Sequence, residues 1–206
     1  MSLPLHLQPI SLSGKQLYIY IPDADAVQKA YCDNKDAAYW AQVWPASIGL
    51  CNFLQQNLQH IENKNVLELA AGLGLSGLYA AGFARQVSIT DREAQAIECI
   101  KQSAAHLQLQ NVKAFALDWK DAPNISQPDI VLLSDVNYEP EVFEELHKVI
   151  VYFLEKNIPV IISTPQRLVA KPFINSLLLY CRQQWNSEVI WNSGEAAVSV
   201  FVLMGN

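Results

Sequence analysis

Positive charge is scarce in this chain. Its 206 residues include 14 lysines and arginines against 20 aspartates and glutamates, for a formal net charge of −6, and no basic run stands out. Proteins that grip duplex nucleic acid neutralise phosphates with clustered cations, so that class is not expected here. Cysteine is also sparse: Cys32, Cys51, Cys99 and Cys181 lie far apart and form no C-x-x-C pair. Cys99 and Cys181 fall within helical apolar patterns, which predicts reduced, mostly buried thiols and a cytoplasmic setting. The histidines, His6, His60, His106 and His147, show no ligand spacing. The carboxylates do not cluster with them, so no metal site is expected. A serine-hydrolase elbow, G-x-S-x-G, is absent. No apolar run approaches membrane-spanning length, so no membrane partner is expected. The opening MSLPLHLQPI has no basic region followed by a long apolar stretch, so a signal peptide is not expected either.

What is present is the composition of a soluble globular chain, 51% apolar and 17% charged, long enough for one domain with a substantial core. Mild acidity serves solubility and also suits a cationic substrate. Residues 5–12 and 15–21 alternate and meet at Ser13-Gly14, which predicts a small hairpin. The span 23–45 reads as irregular, and Pro45 starts a helix whose face is Leu50, Cys51, Leu54 and Leu58. From residue 64 strands and helices alternate. Strands are predicted at 65–70, 86–90, 111–117, 129–134 and 159–164, with helices at 74–82, 93–108 and 140–156 and another after Pro172. The run 129–134 is continuously apolar, as a parallel strand buried on both faces must be. Strands at 187–191 and 196–204 flank Asn192-Ser193-Gly194-Glu195, a hairpin turn. The expected fold is α/β, Rossmann-like and doubly wound. Its mostly parallel seven-stranded sheet ends in an antiparallel C-terminal hairpin and carries a short N-terminal β-hairpin extension. A single domain over 1–206 is expected, with 1–45 as the extension and 46–206 as the core.

In such sheets ligands sit beyond the carboxyl ends of the strands. That position holds ELAAGLGLSG (68–77), where Gly72, Gly74 and Gly77 spell G-x-G-x-x-G, and Asp91 follows Gly72 by 19 residues. Glycines admit close backbone approach, and an acid at the end of the second strand can take both hydroxyls of a ribose. Packing alone would also use these glycines, but Asp91 in register favours a nucleoside. NAD remains compatible with the pattern. Glu68, inside the strand end, favours a cationic methyl donor, since it can face such a ligand or hold the loop. Ala70 and Ala71 stand where a dinucleotide fold wants its first glycine. The fourth strand ends in SDVNYEP, placing a carboxylate at Asp135 and a phenol at Tyr138 just past a buried run. Asp135 either caps the helix that starts near Pro140 or serves a site.

E-L-A-A-G-L-G resembles the E/D-x-G-x-G-x-G loop of class I, seven-stranded S-adenosylmethionine-dependent methyltransferases. The terminal strand and hairpin match that family's ending. The likeness tightens to the protein-lysine methyltransferase group often called methyltransferase family 16, and it runs from about residue 17 to the end. That group shares Trp44 in VWPAS, Asp91 in ITD, Trp119 in LDW, and Asp135 with Tyr138 in SDVNY. Two positions depart from the pattern: Ala70 replaces the first loop glycine, and Leu73 replaces a threonine. The resemblance implies S-adenosyl-L-methionine as cofactor, held by Trp44, Glu68, Ala70, Gly72, Gly74, Asp91, Asp118, Trp119 and Ser134. It makes Asp135 and Tyr138 the catalytic pair at the floor, Asp135 positioning an amine and Tyr138 bounding the pocket. Trp40, Trp185 and Trp191 read as structural. The implied acceptor is a lysine or other amine of a protein, with a small-molecule amine as the alternative. An NAD-dependent oxidoreductase and a non-catalytic binding module are the readings from other classes.

Overall fold

The computed structural model describes residues 3–33, 36–125, 127–191 and 194–205. Its central sheet is built from β3 (Asn65–Leu69), β4 (Gln86–Asp91), β5 (Val112–Ala116), β6 (Ile130–Ser134), β7 (Val160–Pro165), β8 (Cys181–Trp191) and β9 (Gly194–Leu203). These seven strands run in the order β5-β4-β3-β6-β7-β9-β8. The first five are parallel, while β9 runs antiparallel to both β7 and β8. The expected α/β sheet with its antiparallel C-terminal hairpin is therefore what the chain forms.

Alternation along the central strands explains why both faces are covered. Val66, Ile130, Leu132 and Ile161 point into one apolar cluster, and their neighbours Leu67, Leu69, Val131, Leu133, Val160 and Ile162 point into the other. The first face is covered by α2 (Pro45–Gln56), α3 (Leu75–Ala80) and α4 (Ala94–His106). The second is covered by α5 (Phe143–Glu155) and α6 (Lys171–Leu177). A strand whose two faces are both buried has no polar position to spare, and IVLLS leaves only its last residue partly open.

The N-terminal hairpin, β1 (Leu5–Leu12) with β2 (Lys15–Pro22), forms a separate two-stranded sheet. It is stitched to the first face. Ile10 and Ile19 are fully buried in that cluster, the Tyr20 N–H donates to Ser103 Oγ at 2.9 Å, and the Ser13 N–H donates to Asn52 Oδ1 at 2.9 Å.

Three readings need correction. The stretch expected to be irregular contains α1 (Ala24–Asp33) and a 3-10 turn at Asp36–Ala41. Asp23 accepts the Ala26 N–H at 3.0 Å, so an N-cap signal stood in the sequence directly before that helix. Next, β8 begins at Cys181 rather than at 187, so Cys181 lies on a strand and not in a helical pattern. It is partly exposed and Cys32 is exposed, while Cys51 and Cys99 are buried. Last, Asn192 and Ser193 of the expected turn lie outside the described residues, although Trp191 does pair with Gly194.

Candidate active site

The chain continues from β3 to β4 and β5 on one side, and from β6 to β7 on the other. Between β3 and β6 the connections diverge, and a crevice opens beyond their carboxyl ends. Leu69 pairs with Leu133 as the last matched residues of these two strands. Each strand then leaves the sheet through a left-handed residue that is not glycine, Ala70 at φ 50° and Asp135 at φ 54°. Such backbone costs about 1–2 kcal/mol for a residue with a Cβ, so something must hold it. The Ala71 N–H donates to Thr90 O and the Asp135 N–H to Ser163 O, both at 2.9 Å. The cleft has a volume of about 400 Å³, within the range of small-molecule sites.

On the β3 side the glycines divide by task. Gly72, at φ 56°, borders the cleft, and a Cβ there would sit 3.2 Å from the Trp40 carbonyl oxygen. Gly74 and Gly77 face away from the cleft. A Cβ on Gly74 would meet Ile100 Cγ1 at 2.9 Å, and one on Gly77 would meet Glu68 Oε2 at 2.5 Å. Glu68 lies beneath the loop, fully buried, accepting the Gly77 N–H at 2.8 Å. Burial pushes its carboxyl up to about 8, against the opposing pull of the Gly77 hydrogen bond. Two of the expected cofactor residues lie behind the loop, Glu68 in the loop-holding role that its place at the strand end also allowed. Glu68 and Gly74 do not line the cleft: Glu68 holds the loop and α3 from behind, and Gly74 lets α3 pack on Ile89 and Ile100.

Asp91 closes this side of the cleft. One carboxylate oxygen accepts the Gly72 N–H at 2.8 Å, and the other accepts the Glu93 N–H at 2.9 Å. Burial raises its pKa, and those two hydrogen bonds hold the rise back. Each oxygen keeps a second lone pair, which is what two ribose hydroxyls require. Beyond it, Asp118 accepts the Lys120 N–H at 3.0 Å and starts a 3-10 turn, Trp119–Asn124. Asp118 and Trp119 both line the cleft.

Over the β6 side stands an aromatic corner. Trp44 Nε1 donates to the Tyr39 carbonyl at 3.0 Å, and the Tyr39 ring lies 5.4 Å from that of Tyr138 and 6.4 Å from that of Trp44. Ser134 and Asp135 form the floor. Asp135 is 6% exposed and caps no helix. Its two oxygens instead take a two-pronged ion pair from Arg167, at 2.5 Å from Nη1 and 3.1 Å from Nη2. Burial raises the Asp135 pKa, and the guanidinium works against it. Burial likewise raises that of the Tyr138 hydroxyl.

Trp44, Ala70, Gly72, Asp91, Asp118, Trp119, Ser134, Asp135 and Tyr138 thus meet in one cleft. Sequence reasoning missed Tyr39 and Arg167, and it assigned Trp40 to structure alone although it also forms the cleft wall. Arg167 had a faint signal, since it follows STP at the end of β7, the strand beside β6. Among the described residues no group of three or more His, Cys, Asp or Glu could hold a metal ion.

The chain matches the family described as lysine methyltransferase over residues 29–178. It is 32% identical over 140 residues to protein N-lysine methyltransferase METTL21A of Xenopus tropicalis, covering 66% of this chain and 65% of that protein. It is 31% identical over 125 residues to histone-arginine methyltransferase METTL23 of Mus musculus, covering 58% of this chain and 49% of that protein. The match therefore spans about half to two thirds of these relatives' length. In structure it is similar to the N-methyltransferase NodS of Bradyrhizobium japonicum WM9, with a TM-score of 0.60 at 12% identity over 76% of this chain and 94% of that one. That last likeness is one of fold.

Proposed function

The chain belongs to the lysine methyltransferase family, whose methyl donor is S-adenosyl-L-methionine, and from that premise we propose that it methylates a side-chain nitrogen of a protein, in the first place a lysine amine. One observation carries the reading: a single cleft brings the Gly72–Asp91 wall opposite the Asp135–Tyr138 floor. The residues present fit the cofactor. Gly72 sets bare backbone in the cleft wall, tight against Trp40, and Asp91 keeps open lone pairs for a pair of hydroxyls. Asp118 and Trp119 would flank the adenine, and Trp44, Ala70 and Ser134 would lie toward the methionine end.

When bound, the cofactor supplies an electrophilic methyl group on a sulfonium, and attack on it needs an aligned lone pair. The protein's task is to bring an amine in, orient it and keep water away. Asp135 attracts and orients the amine, acting as a positioner, because a carboxylate alone would raise the amine's pKa. Tyr39, Trp44 and Tyr138 work in the other direction, since desolvation among aromatic rings favours the neutral amine that carries the lone pair. Asp91, Glu93, Asp118 and Glu139 add negative charge around the mouth, against Arg92 and Lys120, which suits a cationic side chain. The four free cysteines support a reducing, cytoplasmic setting for the reaction.

The test is transfer of labelled methyl from S-adenosylmethionine into a cell extract, with Asp135→Ala run in parallel. The expected result is label in a discrete protein band that the variant reduces at least about 100-fold, the scale of a lost positioning contact. Label confined to small molecules would move the acceptor to a metabolite, and undiminished labelling by the variant would remove Asp135 from its role.

A further inference from the structure

We propose that Arg167 is a displaceable occupant of the acceptor seat. In the resting protein its guanidinium holds the place on Asp135 that a substrate side-chain cation takes, and the acceptor enters by exchange with it. The proposal rests on the methyl-transfer reading and deepens it, making Arg167 a specificity-determining residue.

The pair is lopsided. The Asp135 side chain is 4% exposed, whereas that of Arg167 is 33% exposed. A structural pair sealed in a core hides both charges, since an ion left partly in water gains little from the contact. Here the acid is fixed in the floor, its own N–H spent on Ser163, and the cation reaches it from the rim. Both carboxylate oxygens are engaged. With so little of that side chain open, an incoming cation gains it only when the guanidinium withdraws.

The segment that carries Arg167 is built as an arch. At one foot Gln166 is pinned to β9, its N–H donating to Ala197 O at 2.9 Å and its amide to Ser199 Oγ at 3.1 Å. At the other foot Ala170 is buried, 2% exposed. Between them Arg167 turns inward, while Leu168 and Val169 are 79% and 43% exposed. The Arg167 N–H donates to Pro165 O at 2.8 Å and its carbonyl accepts the Ala170 N–H at 3.2 Å, so withdrawal is a swing of the Arg167 side chain that leaves the main chain and the β7–β9 pairing in place. The arch's two exposed aliphatic residues directly follow the cleft-lining Arg167 in the chain.

The aromatic corner completes the seat. Tyr39, Trp44 and Tyr138 line the same cleft as Arg167. These rings can flank the alkyl stem of a lysine or an arginine as well as that of Arg167 itself. Exchange of one cation for another on Asp135 also explains how a buried carboxylate is kept compensated between turnovers. An unpaired charge there would be costly, so the acceptor displaces the guanidinium as a cation and gives up its proton to solvent only once seated, before its lone pair attacks. The shared chemistry is an alkyl cation, ammonium or guanidinium.

The experiment measures calorimetric binding of n-butylammonium and n-butylguanidinium, each as the chloride, to the full chain with S-adenosylhomocysteine present. The proteins compared are wild type, Arg167→Gln, Arg167→Lys and the double variant Asp135→Asn/Arg167→Gln. If Arg167 fills its seat about nine-tenths of the time, its removal tightens probe binding about tenfold. Arg167→Lys, which keeps the charge but loses the fork, falls between, and the double variant loses the gain. Preference for butylguanidinium marks an arginine acceptor and preference for butylammonium a lysine, and either preference supports exchange. A folded Arg167→Gln that binds neither probe more tightly than wild type overturns the proposal. Should that variant not fold, Arg167→Lys decides, and affinity equal to wild type overturns it as well. Methyl transfer is not read in this assay, so its failure leaves the transfer reading intact, and loss of labelling in the extract leaves the exchange result standing.

Discussion

Ala70 and Glu68 show what one residue can reveal and what it hides. Ala70 breaks the resemblance to the family's loop, and it takes up a φ of 50° all the same. Ala70→Gly removes a steric cost of about 1–2 kcal/mol but returns about 0.4–1 kcal/mol through a freer unfolded chain. The expected outcome in urea unfolding is a net gain of up to about 1.6 kcal/mol, and a clear loss would mean that the Ala70 methyl makes a contact worth more than its strain. This departure was legible because a motif position is a backbone requirement. The direction in which Glu68 points was not, because it depends on the Gly77 N–H, which only folding brings 2.8 Å away. Its carboxyl titrates near 8 in the folded protein and near 4.5 when exposed. The native state therefore keeps a proton that the unfolded chain has lost, so stability falls as pH rises from about 4.5 to about 8 and levels off above that. Glu68→Gln should flatten that slope in thermal melts recorded from pH 5 to pH 8. A slope identical to wild type would mean that Glu68 ionises normally.

At the scale of elements, legibility followed burial. The inner parallel strands announced themselves as apolar runs because both faces are covered, as in Ile130 to Leu133, whereas β5 at the sheet edge has no buried residue and was read from its position in the strand–helix alternation. By contrast β8 pairs only with β9 and keeps one fully buried residue, Val189, so its first six residues carried no pattern to read. The helix α1 was missed for a different reason: its cap was visible at Asp23, but its short ADAVQKAYCD run carries few large apolar side chains to announce a buried face. Close packing leaves a subtler mark. On α2, Gly49 faces β9, and a Cβ there would lie 2.6 Å from Val198 Cγ1 and 3.1 Å from Val198 Cβ. Gly49→Ala gains about 1 kcal/mol in helix propensity but forces the helix off the sheet, at about 1–3 kcal/mol. A lower urea midpoint with an unchanged slope is expected. Gly82→Ala, in the turn after α3, is the control for adding a methyl without a clash, because a Cβ there meets nothing nearer than Tyr79 O at 3.5 Å. If both variants unfold at the same midpoint, the α2–β9 contact has room that this packing denies.

Over the whole molecule, the order β5-β4-β3-β6-β7 divides the cleft into two territories. The ends of β4 and β5 deliver Asp91, Asp118 and Trp119 to one side, and the ends of β6 and β7 deliver Asp135 and Arg167 to the other. Alternating strands and helices made the doubly wound parallel sheet readable, though not its strand order, and the Arg167 contact joins residues 32 apart in sequence and so could not be read from either neighbourhood. If the donor occupies the Asp91 side and the acceptor the Asp135 side, the two acids separate in a binding experiment. Saturation with S-adenosylhomocysteine at about 100 times its dissociation constant stabilises the folded state by about 2.7 kcal/mol, which in a chain of this size raises Tm by roughly 5–10 °C. Asp135→Asn should keep that rise. Asp91→Asn should lose most of it at the same ligand concentration, since a hydrogen bond to a charged acceptor is worth about 1.5–3 kcal/mol. Asp91 also holds the Gly72 and Glu93 N–H groups, so its variant must melt lower without ligand, and only the ligand-induced shift reports on binding. Equal loss of the shift in both variants would mean that the floor acid helps hold the donor, and the two territories would merge into one site.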